Sequence, residues 1–173
     1  MANFKEDLVN IKAFIFDIDG VLSLQTISLN SFGLPNRTVN LRDGYAMQLA
    51  VKKGYNIGVI TGSNAKEYQK RLKSLGVIDI YLNSRIKMDH FNAFLKKYNL
   101  RKSDVLFMGD DIPDFEVMKG AGVAVCPSDA DSEIKQIAAY VSDKKGGEGC
   151  VRDIIEQVLR LHNNWMDSDS FIW

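Results

Sequence analysis

Five aspartates form two groups, each directly after a short apolar run of the chain: Asp17, Asp19, Asp110, Asp111 and Asp114. Carboxylates that lie close together repel one another and raise one another's pKa, so a cluster of this size requires a cation. Mg²⁺ prefers oxygen ligands and commonly bridges carboxylates to a substrate phosphate. The two groups therefore predict a site for Mg²⁺ and a phosphate ester.

Three further positions could hold the phosphate. Thr61 and Gly62 follow another apolar run, and Lys87 stands before a helical pattern. A hydroxyl, a backbone N–H and an ammonium group would all stabilise phosphoryl oxygens. Taken singly, each feature has a structural explanation: the Asp pair as turn formers, Ser63 or Asn64 as a helix N-cap, Lys87 as a solvated surface lysine. Their combination favours the phosphate site, and we expect residues 61–63 to cap the following helix as well.

Alternating strands and helices would bring these residues together. The apolar runs predict strands over residues 11–16, 56–60, 104–108 and 122–125, and apolar residues at helical spacing predict helices over 45–53, 65–74, 88–98, 115–119 and 151–161. This order predicts an α/β fold, a doubly wound parallel sheet covered by helices on both faces. Ligands of such sheets bind at the carboxyl ends of the strands, where the candidate residues stand.

One stretch interrupts the alternation. Residues 26–30 and 37–41 alternate apolar and polar side chains around a turn at 33–36, which predicts a projecting β-hairpin within an insertion at about 24–41. The rest of the 173 residues fits a single domain. The tail, about 162–173, is polar apart from a few aromatic residues, so it is either frayed or held by those aromatics.

Composition narrows the partners and the compartment. The 22 basic and 22 acidic residues cancel, which argues against nucleic acid or an anionic membrane as a partner and favours a small molecule. Neither a secretory leader nor a transmembrane run is evident, and the two cysteines lack metal-type spacing. Cytoplasmic location is the default expectation.

The order and spacing of four blocks resemble the haloacid dehalogenase superfamily of phosphohydrolases: residues 17–20 (DIDG), 61–63 (TGS), Lys87 and 109–114 (GDDIPD). The resemblance implies a phosphoric monoester hydrolase with Asp17 as nucleophile and Asp19 as general acid and base. It also implies Mg²⁺ held by Asp17, Asp110 and the backbone carbonyl of Asp19. The phosphoryl group would be held by Thr61, Gly62, Ser63 and Lys87, with Asp111 and Asp114 orienting the metal's waters and Lys87.

Within the superfamily, the chain resembles the small branch that lacks a cap domain, typified by 3-deoxy-D-manno-octulosonate 8-phosphate phosphatase. That branch implies a sugar-acid phosphate substrate from lipopolysaccharide sugar biosynthesis, and a homotetramer in which hairpins associate and a neighbouring subunit completes the active site. Two departures bear on the substrate: residues 23–25 (SLQ) replace Thr-Asp-Gly, and Ser63 replaces an arginine. A nine-carbon, sialic-acid-type 9-phosphate is the alternative substrate. Arg42 and Arg71 are candidates for the substrate carboxylate, because guanidinium groups bind carboxylates in a bidentate fork.

Two other classes of function remain open. A phospho-acceptor signalling module shares an acidic Mg²⁺ site, an Asp, a Thr and a Lys, but it has its acidic pair before the acceptor Asp, whereas here the Asp-x-Asp segment comes first. A catalytically idle assembly subunit would have no need for both Asp17 and Asp19. The hydrolase accounts for more of the residues.

Overall fold

A parallel sheet forms the centre of the fold in the computed structural model, which describes residues 4–172. Its strands lie in the order β3-β2-β1-β4-β5-β6. They are β1 (Ala13–Phe16), β2 (Asn56–Ile60), β3 (Asp79–Tyr81), β4 (Val105–Met108), β5 (Val123–Cys126) and β6 (Tyr140–Val141). The helices are α1 (Phe4–Leu8), α2 (Leu41–Lys52), α3 (Lys66–Ser74), α4 (Lys87–Tyr98), α5 (Phe115–Gly120), α6 (Ser132–Ile137) and α7 (Cys150–Leu161). Short 3₁₀ turns cover Lys102–Asp104, Ile112–Asp114 and Ser168–Phe171.

Both faces of the sheet are buried, as expected of a parallel sheet with crossover helices. Phe14 and Phe16 of β1 point into a core formed with α2, α3 and α7. Ala13 and Ile15, which alternate with them, point into a second core formed with α4, α5 and α6. The predicted doubly wound α/β fold is therefore confirmed.

The predicted hairpin is present only in shortened form. One antiparallel bridge joins Leu29 to Pro35, and the Asn30 side chain accepts from the backbone N–H groups of Phe32 and Leu34. The prediction of paired strands over 26–30 and 37–41 is wrong, because Thr38 instead exchanges hydrogen bonds with Ser23 and Leu24. Residue 41 already begins α2, whose N-cap is Asn40. The segment nevertheless projects from the fold, and no cap domain covers the sheet edge within the described residues.

The tail lies against the body of the protein as far as residue 172. The Trp165 ring lies 4.8 Å from the Arg152 guanidinium and 5.7 Å from that of Arg160, both within cation–π range. Lys53 forms ion pairs with Asp167 and Asp169. The sequence left open whether the tail is frayed or held by its aromatic residues, and in the structure an aromatic residue holds it. Trp173 lies outside the described residues. None of the helices between residues 4 and 172 is long and apolar enough to cross a membrane.

Candidate active site

The candidate residues converge at the carboxyl edge of the sheet. Asp17 directly follows β1, Thr61 follows β2, and Asp110 follows β4 after one glycine. Backbone hydrogen bonds continue the strands into these positions: Asp17 N–H donates to Met108 and Thr61 N–H donates to Tyr81. A cavity of about 490 Å³ opens there, lined by Asp17, Asp19, Gly20, Gln25, Thr61, Gly62, Ser63, Ser84, Arg85, Lys87, Asp110, Asp111, Pro113 and Asp114.

Lys87 is the cation at the floor of this cavity. Its side chain is only 4% exposed, and its Nζ lies 2.7 Å from Asp17 Oδ2 and 2.6 Å from Asp114 Oδ1. Burial alone would lower the pKa of Lys87, but the charges of Asp17 and Asp114 outweigh it and raise that pKa. Lys87 is therefore a buried ammonium group, and the reading of it as a solvated surface lysine is wrong.

Three carboxylates crowd the space beside Lys87. Oxygens of Asp17, Asp110 and Asp114 all lie within 4.8 Å of one another. Burial, together with the charge of Asp17, raises the pKa of Asp110 to about 8. Burial likewise raises the pKa of Asp17 and that of Asp114, the latter to about 7.

This donor set fits a divalent cation. The Asp110 side chain accepts no hydrogen bond from the residues the structure describes, although Asp110 is only 4% exposed. A buried carboxylate without donors is strongly disfavoured unless a positive charge compensates it. Mg²⁺ takes one or two carboxylates with waters and substrate phosphate, which Asp17 and Asp110 could provide.

Gly20 makes room for the Asp110 carboxylate. Its φ is +81°, in the left-handed region, and a Cβ at this position would come within 1.9 Å of Asp110 Oδ2. We expect Gly20→Ala to cost about 1–2 kcal/mol in backbone strain. It should also weaken Mg²⁺ binding by about 10- to 100-fold, the loss seen when groups that orient a metal ligand are removed.

Gly54→Ala is the matched control for this prediction. Gly54 has a similar φ of +84°, but nothing lies within 4 Å of a Cβ built there. Chemical denaturation of both variants measures the cost of backbone strain. Calorimetric Mg²⁺ titration of both variants measures the effect of a displaced Asp110 carboxylate on Mg²⁺ affinity. Equal Mg²⁺ affinity in the two variants would contradict the placement of Asp110 at the metal.

Asp114 and Asp111 differ in their surroundings. Asp114 is fully buried: its Oδ1 contacts Lys87, and its Oδ2 accepts from Asp110 N–H at 3.2 Å. Asp114 stands at the N-cap position of α5, but its side chain makes no capping hydrogen bond there. Asp111 is exposed and accepts from Ile112 N–H at 2.8 Å. Asp114 thus holds both Lys87 and the Asp110 backbone, while Asp111 lies at the rim.

Thr61 and Ser63 line the same cavity. Their hydroxyl oxygens lie 2.9 Å apart, and Ser63 N–H donates to Thr61 Oγ1. Residues 61–63 do not cap α3, whose N-cap is Ala65 and has no side-chain hydrogen bond; that expectation is wrong. Thr61 Oγ1 engages Ser63 N–H, and the two hydroxyl groups line the cavity.

Asp19 has a partner that the sequence analysis missed. Arg37 donates from Nε to Asp19 Oδ1 at 2.7 Å and from Nη2 to Asp19 Oδ2 at 3.0 Å, a bidentate pair. Arg37 is the one charged residue in the insertion 24–41. That isolation in an otherwise uncharged segment was the signal that could have identified it.

The two arginines proposed for a substrate carboxylate lie outside the catalytic cavity. Arg71 lines a neighbouring groove, and its Nε and Nη2 are buried without a hydrogen-bond partner among residues 4–172. A Cβ at Gly44 would lie 2.9 Å from Arg71 Nη2, so α2 is shaped to admit this side chain. Arg42 is exposed and lies beside Arg152 and Glu156 in another depression. Neither touches the catalytic carboxylates.

Comparison with a family model agrees with this geometry. Residues 72–154 match the model of haloacid dehalogenase-like hydrolases. This stretch includes Lys87 and the Asp110–Asp114 segment.

Curated relatives extend the match. The 3-deoxy-D-manno-octulosonate 8-phosphate phosphatase KdsC of Salmonella typhi is 33% identical over 150 residues, which are 87% of this chain and 80% of that protein. The Yersinia pestis enzyme of the same name is 31% identical over the same shares.

Solved structures of similar proteins share the fold. A crystal structure of the phosphatase from Moraxella catarrhalis, in complex with magnesium, phosphate and KDO, superposes with a TM-score of 0.90 and 29% identity. It covers 99% of this chain and 97% of that one. The Yersinia pestis structure superposes with a TM-score of 0.89 and 29% identity, and the match covers 93% of this chain and 87% of that one.

Proposed function

We propose that this chain hydrolyses a sugar-acid phosphate through an aspartyl-phosphate on Asp17. The chain belongs to the haloacid dehalogenase-like hydrolase family, in the branch that contains the 3-deoxy-D-manno-octulosonate 8-phosphate phosphatases. The chain is a phosphomonoester hydrolase, and Mg²⁺ is its cofactor. The observation that carries the proposal is the buried Asp17–Lys87–Asp114 network beside the unpaired Asp110. A nucleophile, a cation for the phosphoryl group and a metal ligand stand there within one cavity.

Asp17 acts as the nucleophile in the first displacement. A carboxylate oxygen of Asp17 forms a bond to phosphorus while the bond from phosphorus to the sugar oxygen breaks. The electron pair of the broken bond goes to the sugar oxygen, which takes the proton of Asp19. Covalent catalysis of this kind divides one difficult hydrolysis into two easier steps.

Asp19 reverses its role in the second displacement. It accepts a proton from water as the water oxygen forms a bond to phosphorus. The bond between phosphorus and the Asp17 oxygen breaks, and its electron pair returns to Asp17. The products are inorganic phosphate and free enzyme, with Asp19 again protonated.

The surrounding groups stabilise the charge that moves through these steps. Lys87, the hydroxyls of Thr61 and Ser63 and the N–H group of Gly62 would hold the equatorial phosphoryl oxygens, where most of the stabilisation in phosphoryl transfer is needed. Asp17, Asp110 and the Asp19 carbonyl would hold Mg²⁺, which supplies positive charge to the phosphoryl oxygens. Asp114 positions Lys87, and Asp111 at the rim would orient the waters of the bound Mg²⁺.

The substrate proposed is 3-deoxy-D-manno-octulosonate 8-phosphate, an intermediate of lipopolysaccharide sugar biosynthesis. The names of the curated relatives and of the Moraxella complex support it. Gln25 and Ser63, two positions where the chain departs from the family pattern, both line the cavity. A nine-carbon sugar-acid 9-phosphate is therefore the second candidate, and Arg71 remains a proposed contact for the substrate carboxylate.

A panel of substrates tests the proposal. Phosphate release is measured with and without Mg²⁺ for eight- and nine-carbon sugar-acid phosphates, with hexose 6-phosphates as carboxylate-free controls. We expect Mg²⁺-dependent release, with the highest kcat/KM on a sugar acid, because the carboxylate adds binding energy that hexose phosphates lack. A preference for hexose 6-phosphates would refute the substrate but not the chemistry.

Assembly and location are proposed on the basis of the same family resemblance. We propose that residues 1–173 form one domain, that it acts in the cytoplasm, and that four copies associate through their hairpins. The exposed apolar side chains of the hairpin support this association: Phe32 is 85% exposed and Leu29 is 64% exposed. Both cysteines are free and buried, which fits a reducing compartment.

A further inference from the structure

Arg85 is a cation of the catalytic cavity that the proposed mechanism does not use. Among the described residues that line this cavity, five are carboxylates, and Lys87 and Arg85 are the two cations. Lys87 is already engaged, because its ammonium group contacts both Asp17 and Asp114. Arg85 is exposed and forms no hydrogen bond or ion pair with residues 4–172. Of the two cations, Arg85 is therefore the one whose charge no protein carboxylate balances.

The chain on both sides of Arg85 is held in place. Ser84 is 3% exposed, its N–H donates to the Thr61 carbonyl at 2.9 Å, and its hydroxyl lies 2.7 Å from His90 Nδ1. Two residues after Arg85, Lys87 is fixed by its two ion pairs at the floor of the cavity. The Arg85 side chain thus starts from a fixed point of the backbone, while its guanidinium is not bound to another side chain.

The segment that carries Arg85 lies beside the groups that would hold the phosphoryl oxygens. Asn83 N–H donates to the Ser63 carbonyl at 3.0 Å, which links the segments that follow β2 and β3. Ser63 and Arg85 both line the cavity. Because Arg85 is exposed and Lys87 is buried, the guanidinium would approach a phosphate from the mouth of the cavity, and the ammonium group from its floor.

An incoming phosphate ester needs the charge that Arg85 carries. A phosphomonoester has about 1.5 to 2 negative charges at pH 7, and the five carboxylates that line the cavity repel it. Besides Mg²⁺, the cation that can offset this repulsion is Arg85, since Lys87 is shared by two of the carboxylates. A guanidinium stays charged throughout the physiological pH range, and its planar fork of N–H groups fits phosphate oxygens.

We propose that Arg85 is a phosphate-binding residue, whose guanidinium pairs at the mouth of the cavity with oxygens of the substrate's phosphoryl group and of the inorganic phosphate product. The contact is the same before and during phosphoryl transfer, so Arg85 contributes to binding and not to the rate of the chemical step. It makes no contact with the sugar and acts equally on every phosphate monoester. The inference rests on the phosphoryl chemistry proposed at Asp17, but not on the identity of the sugar acid.

Arg85→Gln tests this role with three substrates: an eight-carbon sugar-acid 8-phosphate, a hexose 6-phosphate and an aryl phosphate. KM should rise by about 10- to 100-fold for all three, as expected when a hydrogen bond between charged groups is lost, while kcat does not fall. The inhibition constant of inorganic phosphate should rise by the same factor. Calorimetric titration of the Mg²⁺-loaded enzyme with inorganic phosphate measures this loss of affinity without turnover.

Arg160→Gln is the matched control, the same change at an arginine whose side chain is 57% exposed and which does not line the catalytic cavity. Its KM values and its affinity for inorganic phosphate should equal those of wild type. Arg85→Lys should behave between wild type and Arg85→Gln, because an ammonium group keeps the charge but not the planar fork. Thermal unfolding of each variant identifies a general loss of folding.

Two results would overturn this role of Arg85. A rise in KM for the sugar acid alone, with unchanged affinity for inorganic phosphate, would mean that Arg85 binds the carboxylate of the sugar acid instead. Unchanged constants for every substrate and for inorganic phosphate would mean that Arg85 is a solvated surface arginine. If the wild-type enzyme does not prefer the sugar acid, the proposed substrate fails, and the calorimetric result still decides whether Arg85 binds phosphate.

Discussion

Asp17→Asn is expected to remove phosphate release from every substrate, a loss of at least about 10⁴-fold, as found when the nucleophile of a covalent hydrolase is deleted. An amide oxygen is a far weaker nucleophile than a carboxylate, and it is also a weaker ligand for Mg²⁺. The fold should remain intact, because Lys87 keeps its contact with Asp114 at 2.6 Å. Burial already raises the pKa of Asp17, so a neutral side chain is tolerated at this position.

The control for Asp17→Asn is Asp143→Asn, the same chemical change at a carboxylate whose side chain is 73% exposed and which does not line the catalytic cavity. Phosphate release and thermal unfolding are measured for both variants. Asp143→Asn should retain wild-type activity. Residual activity of Asp17→Asn within tenfold of wild type would show that another group attacks phosphorus.

Asp19→Asn is expected to separate substrates by their leaving groups. Loss of general acid catalysis should lower kcat for alkyl phosphates by about 10²- to 10⁴-fold. With aryl phosphates, the rate of aspartyl-phosphate formation should fall much less, because a phenolate leaves without protonation. The plot of log kcat against leaving-group pKa should therefore become steeper in the variant.

Asp111→Asn provides the comparison for Asp19→Asn. Asp111 is an exposed carboxylate of the same cavity and accepts a hydrogen bond from Ile112 N–H in its own turn. If it acts on metal-bound water, its removal should lower activity on alkyl and aryl phosphates by the same modest factor. Equal losses on both classes in Asp19→Asn would contradict the acid role of Asp19.

The sheet and the site could be predicted because their signals are local. β2 was predicted within its observed bounds, Asn56–Ile60, since it is a continuous apolar run that ends at Thr61-Gly62. Parallel strands place their carboxyl ends at one edge, so the convergence of Asp17, Thr61 and Asp110 followed from topology alone. The roles proposed for these residues are still predictions.

The missed elements carry weaker signals. β3 is an edge strand of three residues, Asp79–Tyr81, whose buried Asp79 is held by Lys97 and by the hydroxyls of Tyr81 and Tyr98. β6 has two residues, Tyr140–Val141, and borders β5 alone. Neither is long enough to show the periodicity of a strand. Both depend on tertiary contacts that no single stretch of sequence reveals.

The Arg37–Asp19 pair was missed for a related reason. The alternation in residues 26–30 and 37–41 predicted a two-stranded β-ladder. In such a ladder, the alternation of side chains along the strand would have decided on which face Arg37 lies. The observed segment pairs only at Leu29 and Pro35, and the hydrogen bonds of Thr38 to Ser23 and Leu24 fold the chain back over the site. The position of Arg37 thus depends on side-chain hydrogen bonds across about 15 residues of chain, which pattern analysis does not detect.

The central claim is that Asp17 carries the phosphoryl group during turnover, and acid quenching of the reaction with phosphoryl-labelled sugar-acid phosphate tests it most directly. We predict a label on the peptide that contains Asp17, labile to hydroxylamine, dependent on Mg²⁺, and formed and lost at least as fast as kcat. Phosphate release without any label on that peptide, or a label that accumulates to one per chain and never turns over, would contradict the claim.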